Sequence, residues 1–113
     1  MIYPNKVRFG GVEYRVVISQ EEIPHPWKEG MLINAACLPD DRLILVHDHP
    51  SSPSSTEESL LHEILEGIID TYDIQMEHQT IKTLGVALHQ VLAEAKMDFS
   101  QSALNIPVNT TVH

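Results

Sequence analysis

Hydrophobic and polar positions change period part-way along the chain. Val7-Arg8-Phe9 and Val12-Glu13-Tyr14-Arg15-Val16-Val17-Ile18 are rich in β-branched and aromatic residues and alternate at first. Between them stands Gly10-Gly11, a pair that turns without steric cost, so Val7 to Ser19 is predicted to form a hairpin. Met31 to Cys37 and Arg42 to Val46 are two further short apolar runs, separated by the turn-forming Leu38-Pro39-Asp40-Asp41. They predict a second hairpin. Glu21 to Gly30 is interrupted by Pro24 and Pro26 and closed by a glycine, and reads as a loop. Its Trp27 is either a core plug or a rim contact.

Beyond Pro50 the period becomes helical. Leu60, Leu61, Ile64, Leu65, Ile68 and Ile69 fill one broad face, with His62 at its edge beside Ile69. Glu63, Glu66, Gly67 and Asp70 are assigned to the opposite arc. The polar linker Ser51 to Ser55 leads into this helix, with Ser55 and Glu58, or Ser54 and Glu57, spaced as a capping box. After the short connection Asp73 to Glu77, Ile81, Leu84, Leu88, Val91, Leu92 and Ala95 predict a second helix from about His78 to Lys96. So short a connection favours antiparallel packing of the two helices. No internal repeat is visible, and residues from 97 onward read as a polar, irregular tail. The expectation is a single α+β domain over residues 1–113, with its core between about 7 and 96. It has a small antiparallel sheet of two hairpins, about four strands, packed with two main helices.

Charge narrows the partners. With 16 acidic against 7 scattered basic residues the formal net charge is −9, which disfavours nucleic-acid backbones and anionic membranes. No apolar run approaches the roughly 20 residues of a membrane span. Met1 to Lys6 lacks the apolar segment of a signal peptide, and a lone Cys37 makes no internal disulfide. A cytoplasmic setting is therefore expected. Asn109-Thr110-Thr111 matches a glycosylation sequon by chance on that reading.

The chemistry concentrates in His62-Glu63-Ile64-Leu65-Glu66. An H-E-x-x-H helix stacks two imidazoles at i and i+4 on a metal, with the glutamate between them as base. Here the i+4 position is a glutamate, giving H-E-x-x-E. Glu66 retains the helical geometry of a ligand, and zinc accepts carboxylate oxygen, although a harder ligand shifts preference toward other divalent cations. The other histidines invite plainer readings. His89 falls between core positions as a partly buried side chain. In His47-Asp48-His49, alternate residues share a face only if the strand continues, and Pro50 argues that it stops. Cys37, in an apolar run, reads as a small core residue.

Two hairpins, a polar linker, Leu60-Leu61-His62-Glu63-Ile64-Leu65-x-Gly67-Ile68, then Tyr72-Asp73-Ile74-x-x-x-His78 and an amphipathic helix together resemble a zincin-like family. Its members are metallopeptidase-type proteins common in bacteriophages and mobile elements. The resemblance covers roughly Val7 to Lys96 and is specific around Leu60 to Tyr72. It implies that His62 is the first metal ligand, Glu63 the catalytic base and His78 the third ligand, with Glu66 standing where the family has its second histidine. The cofactor implied is zinc or another divalent metal, and the partner a peptide or protein substrate. The strand Arg42 to Val46 is expected to pair with that peptide. The alternative is a catalytically inactive zincin-fold relative that acts as a protein-binding, phage structural or regulatory module.

Overall fold

Gly10 adopts a φ of +59°, and around it the chain reverses from β1 (Lys6–Phe9) into β2 (Val12–Ser19). The antiparallel register pairs Phe9 with Val12 and Lys6 with Arg15, so the hairpin expected around Gly10-Gly11 forms. The computed structural model describes residues 3–95, so the expected tail from 97 to 113 lies outside the described residues. The fold is α+β. After β2 come a short arm of β3 (Ile23–Pro24) and β4 (Leu32–Ile33), then β5 (Ala35–Leu38), a 3₁₀ turn at Pro39–Asp41 and β6 (Leu43–His47). Two helices follow, α1 (Pro53–Tyr72) and α2 (His78–Glu94).

β5 and β6 form the second hairpin, closed by Arg42 in the left-handed region at φ +49°. The two hairpins join differently from the expected antiparallel sheet. The strand order is β1-β2-β6-β5, and β2 runs parallel to β6, with Arg15 opposite Leu43 and Ser19 opposite His47. The sheet is mixed. Alternation along a strand says which face is buried, but not which neighbour lies alongside or in which direction. The segment Glu21 to Gly30, expected as a loop, carries β3, and the apolar run Met31 to Cys37 divides into β4 and β5. β3 and β4 form a separate two-stranded arm with Ile23 opposite Ile33.

One face of the sheet is apolar. Phe9, Tyr14, Val16, Ile44 and Val46 point from it toward Leu60 of α1, and Phe9 meets Tyr14 edge-on with ring centroids 5.1 Å apart. Seating α1 there reassigns two positions given to the outer arc: Glu63 and Gly67 are buried, at the edge of the packed face. Gly67 has no side chain to hold the helix off, and the Phe9 ring occupies that space. The expected capping box does not form. Pro53 takes the first turn, where its missing N–H costs nothing, and Ser52 is the N-cap without a side-chain cap bond.

At its other end α1 stops at Asp73, left-handed at φ +52°, and the Ile74 N–H closes back on the Ile69 carbonyl at 3.0 Å. That reversal returns α2 along α1. Ile81, Gly85 and His89 are the buried residues of α2, whereas Leu84 and Val91 of the predicted stripe are exposed. No helix among the described residues is long and apolar enough to cross a membrane.

Candidate metal centre and its groove

His62 and Glu66 are one turn apart on α1, and His78 is the first residue of α2. The tight α1–α2 reversal brings all three together. His62 Nε2 lies 3.4 Å from Glu66 Oε1, and His78 Nδ1 lies 3.5 Å from the same oxygen. The two imidazoles stand edge to face with centroids 5.1 Å apart. One ligand atom from each residue falls within 4.8 Å of the other two.

These separations fit a divalent cation. Ligand bonds of about 2.0–2.2 Å in tetrahedral geometry set neighbouring donor atoms about 3.4 Å apart. Both edges to Glu66 have that length. The remaining His62–His78 edge is bounded only by 4.8 Å, so the two imidazoles would have to draw together where it exceeds the tetrahedral value. Burial lowers the pKa of His62 below its ordinary value, outweighing the opposing pull of the Glu66 carboxylate. The ring is thus held neutral, the form that offers a lone pair to a metal.

Glu63, adjacent in sequence, is 8% exposed and turned to the backbone of Cys37 on β5. Burial, aided by the charge of Glu66, pushes its carboxyl up to about 7, while a backbone hydrogen bond from Cys37 opposes the shift. A carboxyl poised near neutrality exchanges a proton readily in either direction. The Cys37 thiol is pushed up to about 12, first by burial and then by Glu63, Asp70 and Glu66. A thiol held in that range is a poor nucleophile, and the side chain packs against the core.

Two hollows meet at this point. One, of about 660 Å³, runs between β4 and α2 past His47, His49 and Lys82. The other, of about 300 Å³, lies between β5 and the tip of the β3–β4 arm. His62, Glu63 and His78 line both, so the triad stands midway along one groove. The groove is walled by β5, not by the strand Arg42 to Val46 expected to receive a peptide. β6 is interior, paired to β2 on one side and β5 on the other, and has no free edge. The edge belongs to β5. Because the His47 N–H donates to the Asn34 carbonyl, alternation turns the Ala36 and Leu38 groups toward β6 and leaves those of Ala35 and Cys37 facing outward.

The remaining histidines separate by role. β6 ends at His47, as Pro50 implied, and the His47 and His49 rings stack edge to face at 4.8 Å, outside the triad. His47 Nδ1 contacts the Glu21 carbonyl at 2.9 Å, and the His49 N–H donates to the buried Thr56 Oγ1 at 2.8 Å. His89 is buried, with Nε2 2.7 Å from Glu57 Oε1. In sequence Glu57 stands as a capping partner of Ser54. The signal that identifies it is the pairing of two polar residues inside two apolar stripes. Comparison with protein-family models, with curated proteins and with solved structures returned no match.

Proposed function

We propose that this protein is a metal-dependent hydrolase of extended peptide segments. In this reading His62, Glu66 and His78 hold one divalent cation, zinc foremost, and Glu63 is the general base. The observation that carries it is the convergence of three ligand atoms from two helices within 4.8 Å, on the floor of a groove with an open strand edge. The motif resemblance to the zincin-like proteins of bacteriophages and mobile elements supports the same roles. A bound divalent cation polarises a carbonyl and makes a neighbouring water more acidic.

The chain's own contributions follow from its geometry. The outward N–H and C=O of Ala35 and the outward C=O of Cys37 hydrogen-bond an extended main chain laid along β5, the Cys37 N–H being held by Glu63. Glu63, on the groove floor beside that strand, takes a proton from the attacking water on its carboxylate and passes it to the departing amine. Glu66 lowers the net charge of the centre relative to a third imidazole, so water activation would be weaker than in a three-histidine site, and its harder oxygen would suit zinc less well than an imidazole nitrogen. A lone cysteine with a high-pKa thiol suits a reducing compartment, and we place the protein in the cytoplasm.

The test is elemental analysis of protein purified without chelator or affinity-tag metal. About one equivalent of a divalent metal is expected, lost in His62→Ala and bound more tightly in Glu66→His. Glu63→Gln should keep the metal and lose hydrolysis of unfolded protein substrates by at least about 100-fold. A protein that takes up no metal even with added zinc would refute the hydrolase. It would leave the fold as a binding module with a relic helix.

A further inference from the structure

Trp27 has no packing role. It is the protein's single tryptophan, it sits at the tip of the β3–β4 arm, and it is 82% exposed. Yet its position is preset. His25 Nδ1 accepts the backbone N–H of Trp27 at 3.0 Å and that of Lys28 at 3.1 Å, which folds the tip into a closed turn. The His25 and Trp27 rings meet edge to face at 5.7 Å, and the His25 N–H donates to the Met31 carbonyl at 2.8 Å. An indole of about 150–250 Å² held in a fixed attitude over a groove is a surface organised for contact. Its partner across the smaller hollow is the edge strand, at Ala36, Cys37 and Leu38, and the hollow ends at the His62–Glu66–His78 triad.

We infer that Trp27 and the arm tip form the specificity pocket for a large apolar side chain of a peptide paired with β5, next to the triad. The inference rests on the proposed peptide-binding groove and adds the substrate class. The occupant is an extended peptide because β5 turns the Ala35 N–H and C=O and the Cys37 C=O outward along its free edge, next to the pocket, while the Cys37 N–H is turned to Glu63. A main chain bound there presents alternate side chains to opposite walls, and one wall is Trp27. Pro26 and Leu38 complete an apolar lining. The chain's net charge of −9 sets acidic peptides at a disadvantage.

Because no second tryptophan contributes, intrinsic fluorescence reads this pocket alone. The probe is a set of blocked, lysine-flanked alanine hexapeptides with Gly, Leu or Phe at one central position, titrated into zinc-treated Glu63→Gln protein so that the peptides stay intact. The Phe and Leu peptides should shift Trp27 emission to the blue and bind at least about tenfold more tightly than the Gly peptide. In Trp27→Ala, read by anisotropy of the same peptides carrying fluorescein, that preference should fall away while the Gly peptide binds as before. Equal affinity for Gly and Phe peptides, a preference that survives Trp27→Ala, or no peptide binding at all would overturn the inference. So would a blue shift produced by neutral lipid vesicles, or by raising protein concentration alone. Zinc content of the same samples reports separately on the metal-centred reading, since loss of metal with retained Phe preference removes the hydrolase and not the pocket.

Discussion

Glu63 and His62 are neighbours in sequence, but a 100° step separates their surroundings. His62 faces the groove with Glu66, whereas Glu63 is wedged toward β5 and carries a carboxyl pushed up to about 7 by burial and by the Glu66 charge. In the unfolded chain the same carboxyl ionises near 4.5. Between those two values the folded protein holds a proton that the unfolded chain has released. Stability of the metal-free protein therefore falls as pH rises through this window, and levels off above it. The shift corresponds to a loss on the order of 3 kcal/mol. Urea denaturation in chelator at pH 5 and pH 8 should show a drop of that order in the wild type and a much smaller one in Glu63→Gln. Equal drops in the two proteins would mean that Glu63 does not titrate late.

The two helical glycines make opposite predictions. A Cβ at Gly67 would stand 2.4 Å from Phe9 Cε2 and 2.9 Å from its Cζ, against a ring held in the core. Alanine normally favours a helix interior over glycine by about 1 kcal/mol, but overpacking a filled core costs about 1–3 kcal/mol. Gly67→Ala should therefore lower stability by about 1 kcal/mol or more, with Phe9→Leu partly restoring it. At Gly85 the nearest atoms to a new Cβ are 3.7 Å away, an ordinary contact with His62 Cα and Leu65 Cδ1. Gly85→Ala should raise stability by up to about 1 kcal/mol. Thermal melts of the two single variants check both signs. Neither sign is visible in the pattern of α1 or α2, since each glycine sits in an amphipathic stretch and only the partner surface distinguishes them.

The triad spans two helices, so its integrity depends on how α2 is held to α1. Part of that hold is polar. His89 and Glu57 meet at 2.7 Å, each with a side chain 8% exposed, and His89 Nδ1 lies 3.6 Å from Glu58 Oε1 on its other side. Breaking a buried pair leaves its survivor desolvated and unpartnered. His89→Ala should cost about 3–5 kcal/mol and, by loosening the helix that carries His78, weaken zinc binding. Gln90→Ala, one residue on at an exposed position, should leave both unchanged. Urea denaturation and zinc titration of the two variants make the comparison.

Much of this arrangement is legible in the chain before folding. The Gly10-Gly11 turn, the Pro39-Asp40-Asp41 reversal and the start of α2 at His78 are local matters, governed by a few adjacent residues. The i, i+4 pairing of His62 and Glu66 follows from helical pitch alone, and the short Asp73 to Glu77 link already implied two helices side by side. The meeting of His78 with that pair is what the motif resemblance implies, and folding supplies its distances. Other features depend on partners distant in sequence. That β2 lies parallel to β6, so that β5 and not Arg42 to Val46 offers the open edge, rests on long-range pairing that no strand's own alternation encodes. Glu63 and Gly67 became buried because the sheet approaches α1 from their side, and Glu57 found His89 thirty-two residues away. Periodicity reports how a segment divides its own faces; which face meets which surface is settled by packing, where contacts between remote residues compete for one core.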